Sequence, residues 1–218
     1  MRSGRCSASR FSSEARNEDG ATEDHLAMDG RAPADAAMDT VALAHPQQRE
    51  AKGFFTGFSH PISGLDHVLA MVAVGLWGEQ LGSPAIWLLP VAFPMVMAFG
   101  GMMGLMGIPL PGVEYGIAAS AILLGAAVLF EVRPPLAAAA VLVGIFAIFH
   151  GHAHGTELPP GESGLLYSIG FVIATGCLHG VGISIGVVHR WKWGQRMLRV
   201  AGAVVAAGGV FFMWKAFA

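Results

Sequence analysis

Charge is scarce in this sequence, and so is cysteine. Only 13% of the 218 residues are Asp, Glu, Lys or Arg, about half the share a soluble globular domain carries. Most of that charge is confined to residues 1–52, which hold 7 of the 13 Lys+Arg and 9 of the 15 Asp+Glu. The remaining 166 residues have 12 charged side chains, too few to cover a soluble enzyme. A net charge of −2 with no basic stripe excludes a nucleic-acid binder. Two cysteines, Cys6 and Cys177, exclude a disulfide scaffold. No glycine-rich ATP-binding loop is present. What is abundant is apolar: 54% hydrophobic residues, 30 Gly and a mean hydropathy of +0.56. These features describe a polytopic membrane protein with a polar leader and no soluble domain.

A helix crosses the hydrocarbon core with about 20 mostly apolar residues. Six such stretches follow Phe58, at about 62–81, 84–106, 112–132, 134–153, 164–188 and 196–217. Turn residues separate them: Gly82-Ser83-Pro84, Gly107 to Gly112, Arg133-Pro134-Pro135 and Leu158-Pro159-Pro160-Gly161. The expected fold is all-α, a compact bundle of six transmembrane helices. Arg190, Lys192, Arg196 and Arg199 connect the fifth and sixth spans, and Arg133 the third and fourth. Positive charge stays cytoplasmic, so both termini are expected outside. Gly100 with Gly104, Gly176 with Gly180, and Gly182 with Gly186 have the spacing of close helix packing. Pro90 and Pro94 should kink the second span. Met95, Met97, Met102, Met103 and Met106 read as packing, with a Cu(I) thioether site as the alternative.

The leader, residues 1–44, reads as polar and disordered. Ala42-Leu43-Ala44 before His45 has the form of an export cleavage site, yet no apolar run precedes it. An atypical signal or a misassigned start both fit. Residues 45–218 form the expected six-span transmembrane domain.

Ionisable groups inside spans are costly, and each is a functional candidate by default. The first cluster is His60-Pro61-Ile62-Ser63-Gly64-Leu65-Asp66-His67. Pro61 suits a first helical turn, which puts His60 at the start of span one and on roughly the same side as His67. Asp66 either accepts the His67 ring N–H or binds a cation itself; helix capping near the interface is the plainer alternative. The second cluster is Phe149-His150-Gly151-His152-Ala153-His154-Gly155-Thr156-Glu157. His150, His154 and Glu157 share one helical stripe, with His152 on the opposite side. Its alternative is a solvated His-rich turn. Glu114 starts span three and His179 lies midway along span five; the first could be an interfacial anchor and the second an interhelical hydrogen bonder. Glu79 and Glu131 read as interfacial, and His189 as part of the basic connection. The topology gathers His60, Asp66, His67, Glu114, His150, His154 and Glu157 in the outer half of the bundle, with His179 continuing inward. That is a nitrogen- and oxygen-rich site suited to a transition-metal ion.

These two stretches resemble the first- and fourth-span signatures of the HupE/UreJ family of nickel/cobalt permeases. The likeness covers about residues 45–218. It implies that His60, Asp66, His67, Phe93, Glu114, His154 and Glu157 matter for transport. It also implies uptake of Ni²⁺ or Co²⁺ as substrate across a bacterial inner membrane, with no tightly bound cofactor. The ion would serve hydrogenase or urease maturation, with cytoplasmic metallochaperones as partners. The family's leader usually ends before a mature N-terminal His, and Ala44-His45 matches that junction while the preceding leader departs from the pattern. Two other classes compete. One is an intramembrane zinc-dependent hydrolase, with Glu157 or Asp66 activating water. The other is a haem bundle, with His67 facing His154 or His179.

Overall fold

The computed structural model describes residues 52–158, 161 and 163–218, and no strand occurs among them. The leader, with Cys6, Ala42-Leu43-Ala44 and His45, lies outside the described residues, as do Pro159 and Pro160. The helices are α1 (Lys52–Ser63), α2 (Leu65–Leu81), α3 (Ala85–Leu105), α4 (Val113–Leu129), α5 (Leu136–Thr156), α6 (Gly164–Gly186) and α7 (Lys192–Phe217). A 3₁₀ turn, Val187–Arg190, joins α6 to α7. Four helices are long and apolar enough to cross a membrane: α3, α5, α6 with its 3₁₀ turn, and α7. The bent pair α1 and α2 makes a fifth crossing if taken as one span, and α4, at 17 residues, is a shorter apolar helix. Trp87, Val91, Met95 and Phe99 on α3, and Val200, Val204 and Phe211 on α7, are exposed. Helices that are apolar all round need lipid outside, and the chain is a multi-pass membrane protein.

Contacts between helices give their directions. On α2 and α6, His67 faces Thr175, Met71 faces His179, Gly75 meets Gly182, and Glu79 meets Gly186, so the two run parallel in register. Gly151 lies on Met97 and Gly155 on Gly101, so α3 and α5 are also parallel. In contrast α4 and α7 are antiparallel: Gly125 meets Ala206, Gly209 meets Ile122, and the Tyr115 hydroxyl donates to the Ala216 carbonyl at 3.2 Å.

Several expectations are corrected. Pro61 sits in the last turn of α1 rather than a first turn, and the chain breaks at Gly64 (φ −89°, ψ 108°), where the two helices meet at 79°. His60 and His67 therefore come from different helices. The local bias of a pre-proline residue is overridden because α1 docks on α6, with Gly57 against the Tyr167 backbone and Gly170 against Phe54. Of the glycine pairs, Gly100 and Gly104 pack on α5, and Gly182 and Gly186 pack on α2. Gly176 and Gly180 face open space. Pro90 and Pro94 both lie inside α3, which continues through them. Met97 is buried, but Met95, Met102 and Met106 are exposed, so the thioethers do not converge. Glu79, close to the end of α2, is 4% exposed and 3.2 Å from Arg190, and Gly186 leaves room for its stem. Glu131 is less buried and pairs with Arg199 at 3.1 Å.

Candidate metal centre

The helical repeat places His150 and His154 one turn apart on the same face of α5. Opposite them stand the first turn of α2 with His67 and the last turn of α1 with His60. The His67 and His150 side chains are almost fully buried, at 2% and 1% exposure. His67 Nδ1 lies 3.2 Å from His154 Nε2, and one of the two must carry the shared proton. His67, His150 and His154 each offer a nitrogen, and these atoms all fall within 4.8 Å of one another. A second group meets the same limit: His60, His154 and Glu157. The Glu157 carboxylate is 3.0 Å from His60 Nε2 and 3.5 Å from His154 Nδ1. The two groups thus share His154, which stands between a buried triad and a partly exposed one. Glu157 lies just past the end of α5. The His154 and then the His60 ring beside it hold its carboxyl below the ordinary value, against an opposing effect of burial.

Hydroxyls and aromatic rings fix the imidazoles. Ser120 Oγ donates to the Ile117 carbonyl at 2.6 Å and lies 2.9 Å from His150 Nε2. With its proton committed, the hydroxyl accepts from His150 Nε2–H, which leaves the His150 Nδ1 lone pair for a metal. Thr175 Oγ1 lies 3.5 Å from His67 Nε2. Phe171 packs against His60, His67 and His154, with ring centroids at 6.3, 5.5 and 4.5 Å. Phe93, fully buried on α3, stands between two histidine levels, 5.8 Å from the His150 ring and 5.5 Å from that of His179. His179 Nδ1–H donates to the Met71 carbonyl at 2.9 Å, and its Nε2 is buried with no hydrogen-bond partner among the described residues.

Asp66 and Glu114 are not in either imidazole group. Asp66 Oδ1 accepts from the backbone N–H of His67 at 2.9 Å, not from the ring. A helix-start carboxylate reaches the free backbone donors of its own first turn more readily than a neighbouring ring. Asp66, Glu114 and Glu157 instead line a cavity of about 530 Å³ with His152, Thr156 and Lys215. His152 Nε2–H donates to the Ile108 carbonyl at 2.8 Å, on the far side of α5 as its spacing requires. Three supporting residues escaped the sequence reading: Ser120, Thr175 and Phe171. The hydroxyls left a usable signal, since a polar group in a lipid span must find a partner. Phe171 left none.

Comparison with known proteins identifies the family of the chain. A family model described as HupE / UreJ protein matches residues 34–212. Protein HupE of Rhizobium leguminosarum bv. viciae is 49% identical over 173 residues, which cover 79% of this chain and 90% of that protein. No solved structure matches. By its sequence over most of its length, the chain belongs to the HupE/UreJ family.

Proposed function

We propose that the protein is a membrane permease whose substrate is a divalent transition-metal ion, nickel or cobalt, imported for hydrogenase or urease maturation. The observation that carries this reading is the pair of three-ligand groups joined at His154. In this reading the chain crosses the bacterial inner membrane six times, with α1–α2 as one bent crossing, α4 as a short one and both termini outside. The cavity lined by Asp66, Glu114 and Glu157 gathers the hydrated cation. His60, His154 and Glu157 take the first inner ligands' places from water, and His67 and His150 complete the transfer inward. Phe93 blocks direct passage to His179, so the ion advances when that ring turns aside. Transport needs binding firm enough to dehydrate the ion and weak enough to release it. A site of imidazole and carboxylate without thiolate meets both demands and disfavours Mg²⁺ and Ca²⁺. The ion moves passively or with a gradient. A zinc hydrolase is the weaker reading, because Glu157 is engaged by two imidazoles rather than held free to activate water.

Cells producing the chain should accumulate radiolabelled Ni²⁺ or Co²⁺. Asp66→Ala and His154→Ala should each abolish that accumulation at unchanged membrane abundance. Normal uptake by both variants would overturn the assignment.

A further inference from the structure

The acidic cavity draws its walls from four helices. Asp66 comes from the first turn of α2, Glu114 from the first turn of α4, and Glu157 from just past the end of α5. The fourth wall is the end of α7, which contributes Phe212, Lys215 and Ala216. Antiparallel packing dictates this, because it sets the end of α7 beside the start of α4. Tyr115 ties the two ends together: its hydroxyl donates to the Ala216 carbonyl, and its ring centroid lies 4.9 Å from that of Phe217.

Lys215 is the only Lys or Arg lining this cavity among the described residues. It forms no ion pair among them, and its ammonium lies 5.9 Å from the centre of the Phe211 ring. An exposed aromatic face holds an ammonium weakly, and the four-carbon stem lets it turn toward the acids. With all three acids ionised, three carboxylates and one ammonium leave the cavity at −2, the charge that one divalent ion cancels. Glu157 also belongs to the ligand group of His60 and His154, so a cation gathered in the cavity stands next to the imidazoles. Oxygen ligands by themselves suit Mg²⁺ and Ca²⁺, whereas imidazole selects transition metals. The cavity therefore gathers ions that the imidazoles behind it reject.

We propose that Lys215 is a specificity-determining residue of this cavity, a tethered cation that competes with divalent ions for Asp66, Glu114 and Glu157. The inference rests on the permease reading and deepens it by naming what keeps the entrance clear. An ion that exchanges carboxylate for imidazole leaves the competition by moving on. Mg²⁺ and Ca²⁺ have no such exit, and for them the ammonium shortens occupancy of the carboxylates.

Radiolabelled Ni²⁺ uptake into vesicles containing the full chain, measured against added Mg²⁺ at fixed ionic strength, tests this. Each variant is scaled to its own uptake without Mg²⁺. Lys215→Met keeps an apolar stem of similar length and removes the charge. The Mg²⁺ concentration that halves its uptake should fall about fivefold, the scale of the Coulomb interaction between a unit charge and a divalent ion ~8 Å away in water. Its half-saturating Ni²⁺ concentration should not rise, since both ligand groups are intact. Lys215→Arg keeps the charge and should follow the wild-type Mg²⁺ curve. A wild-type Mg²⁺ curve for Lys215→Met would overturn the proposal, even if its uptake were slower, because a structural role lowers the rate without sensitising it to Mg²⁺. Equal sensitisation in Lys215→Arg would overturn it too, since the charge would then not be the cause. Absence of uptake by wild-type vesicles, with no Mg²⁺ present, would instead sink the permease reading, and this proposal with it.

Discussion

His67→Ala should lower Ni²⁺ uptake at limiting metal by on the order of 100-fold, the upper end of what losing even an outer-shell partner does to a metal site. His67 belongs to the buried triad and touches His154, the residue that both ligand groups share. Removing it deletes one ligand and also frees the partner whose position it fixes. Packing alone does not explain the expected loss, and His67→Gln separates the two causes. Glutamine fills much of the same space and still offers a donor and an acceptor, but its amide is a far poorer ligand for Ni²⁺ than imidazole. Both variants should fail. His152→Ala serves as the comparison within the same His-rich stretch: that ring lines the acidic cavity, but it is turned to the Ile108 carbonyl and is outside both groups. It should retain uptake within about threefold of wild type, as expected when the metal's own ligands and their supports are left alone. Uptake per unit of membrane-inserted protein is the measurement. Equal losses in His67→Gln and His152→Ala would mean that the stretch matters for folding and not for its ligands.

The second large effect is on stability. Gly151→Val should lose most of the folded protein, because a Cβ at that position runs into the Met97 carbonyl and the Gly101 backbone. The obstruction is main chain on both sides, so no rotamer change relieves it. Forcing α3 and α5 apart costs about 3 kcal/mol or more, at or beyond the upper end of overpacking effects. It also displaces His150 and His154, which flank the glycine in sequence. Gly144→Ala on the same helix meets nothing within 4 Å. It should be neutral or slightly stabilising, since alanine favours a helix over glycine by about 1 kcal/mol. Membrane abundance and the thermal midpoint of aggregation in detergent check both. A Gly151→Val protein that melts like wild type would mean the α3–α5 contact is looser than the structure has it.

Much of the candidate site was legible because charge in lipid is conspicuous. His67, His150, His154 and Glu157 could be picked out one by one, since each is expensive where its span puts it. The helical repeat of α5 correctly separated His152 from its neighbours. What spacing could not give was the distribution of acids. Asp66 and Glu157 looked alike in the sequence, yet one caps its own helix and faces the cavity while the other joins two imidazoles. The bend at Gly64 was missed because a proline and a glycine three residues apart permit several helix boundaries. Docking on α6 selects among them. The burial of Glu79 was not legible for the same kind of reason: it depends on Gly186, a residue 107 positions away.

By itself, the sequence determined that this chain lives in lipid, that it is helical, and that imidazoles and acids occupy its spans. Those are properties of composition and of one-dimensional period, and each residue carries its share without reference to distant ones. Only the tertiary structure decided which of these groups meet. Parallel packing of α2 with α6 and of α3 with α5, set by backbone contact at glycines far apart in the chain, brings His67 to His154 and seats Phe93 between His150 and His179. Ligand distances are sums over many helices, and no local pattern contains them.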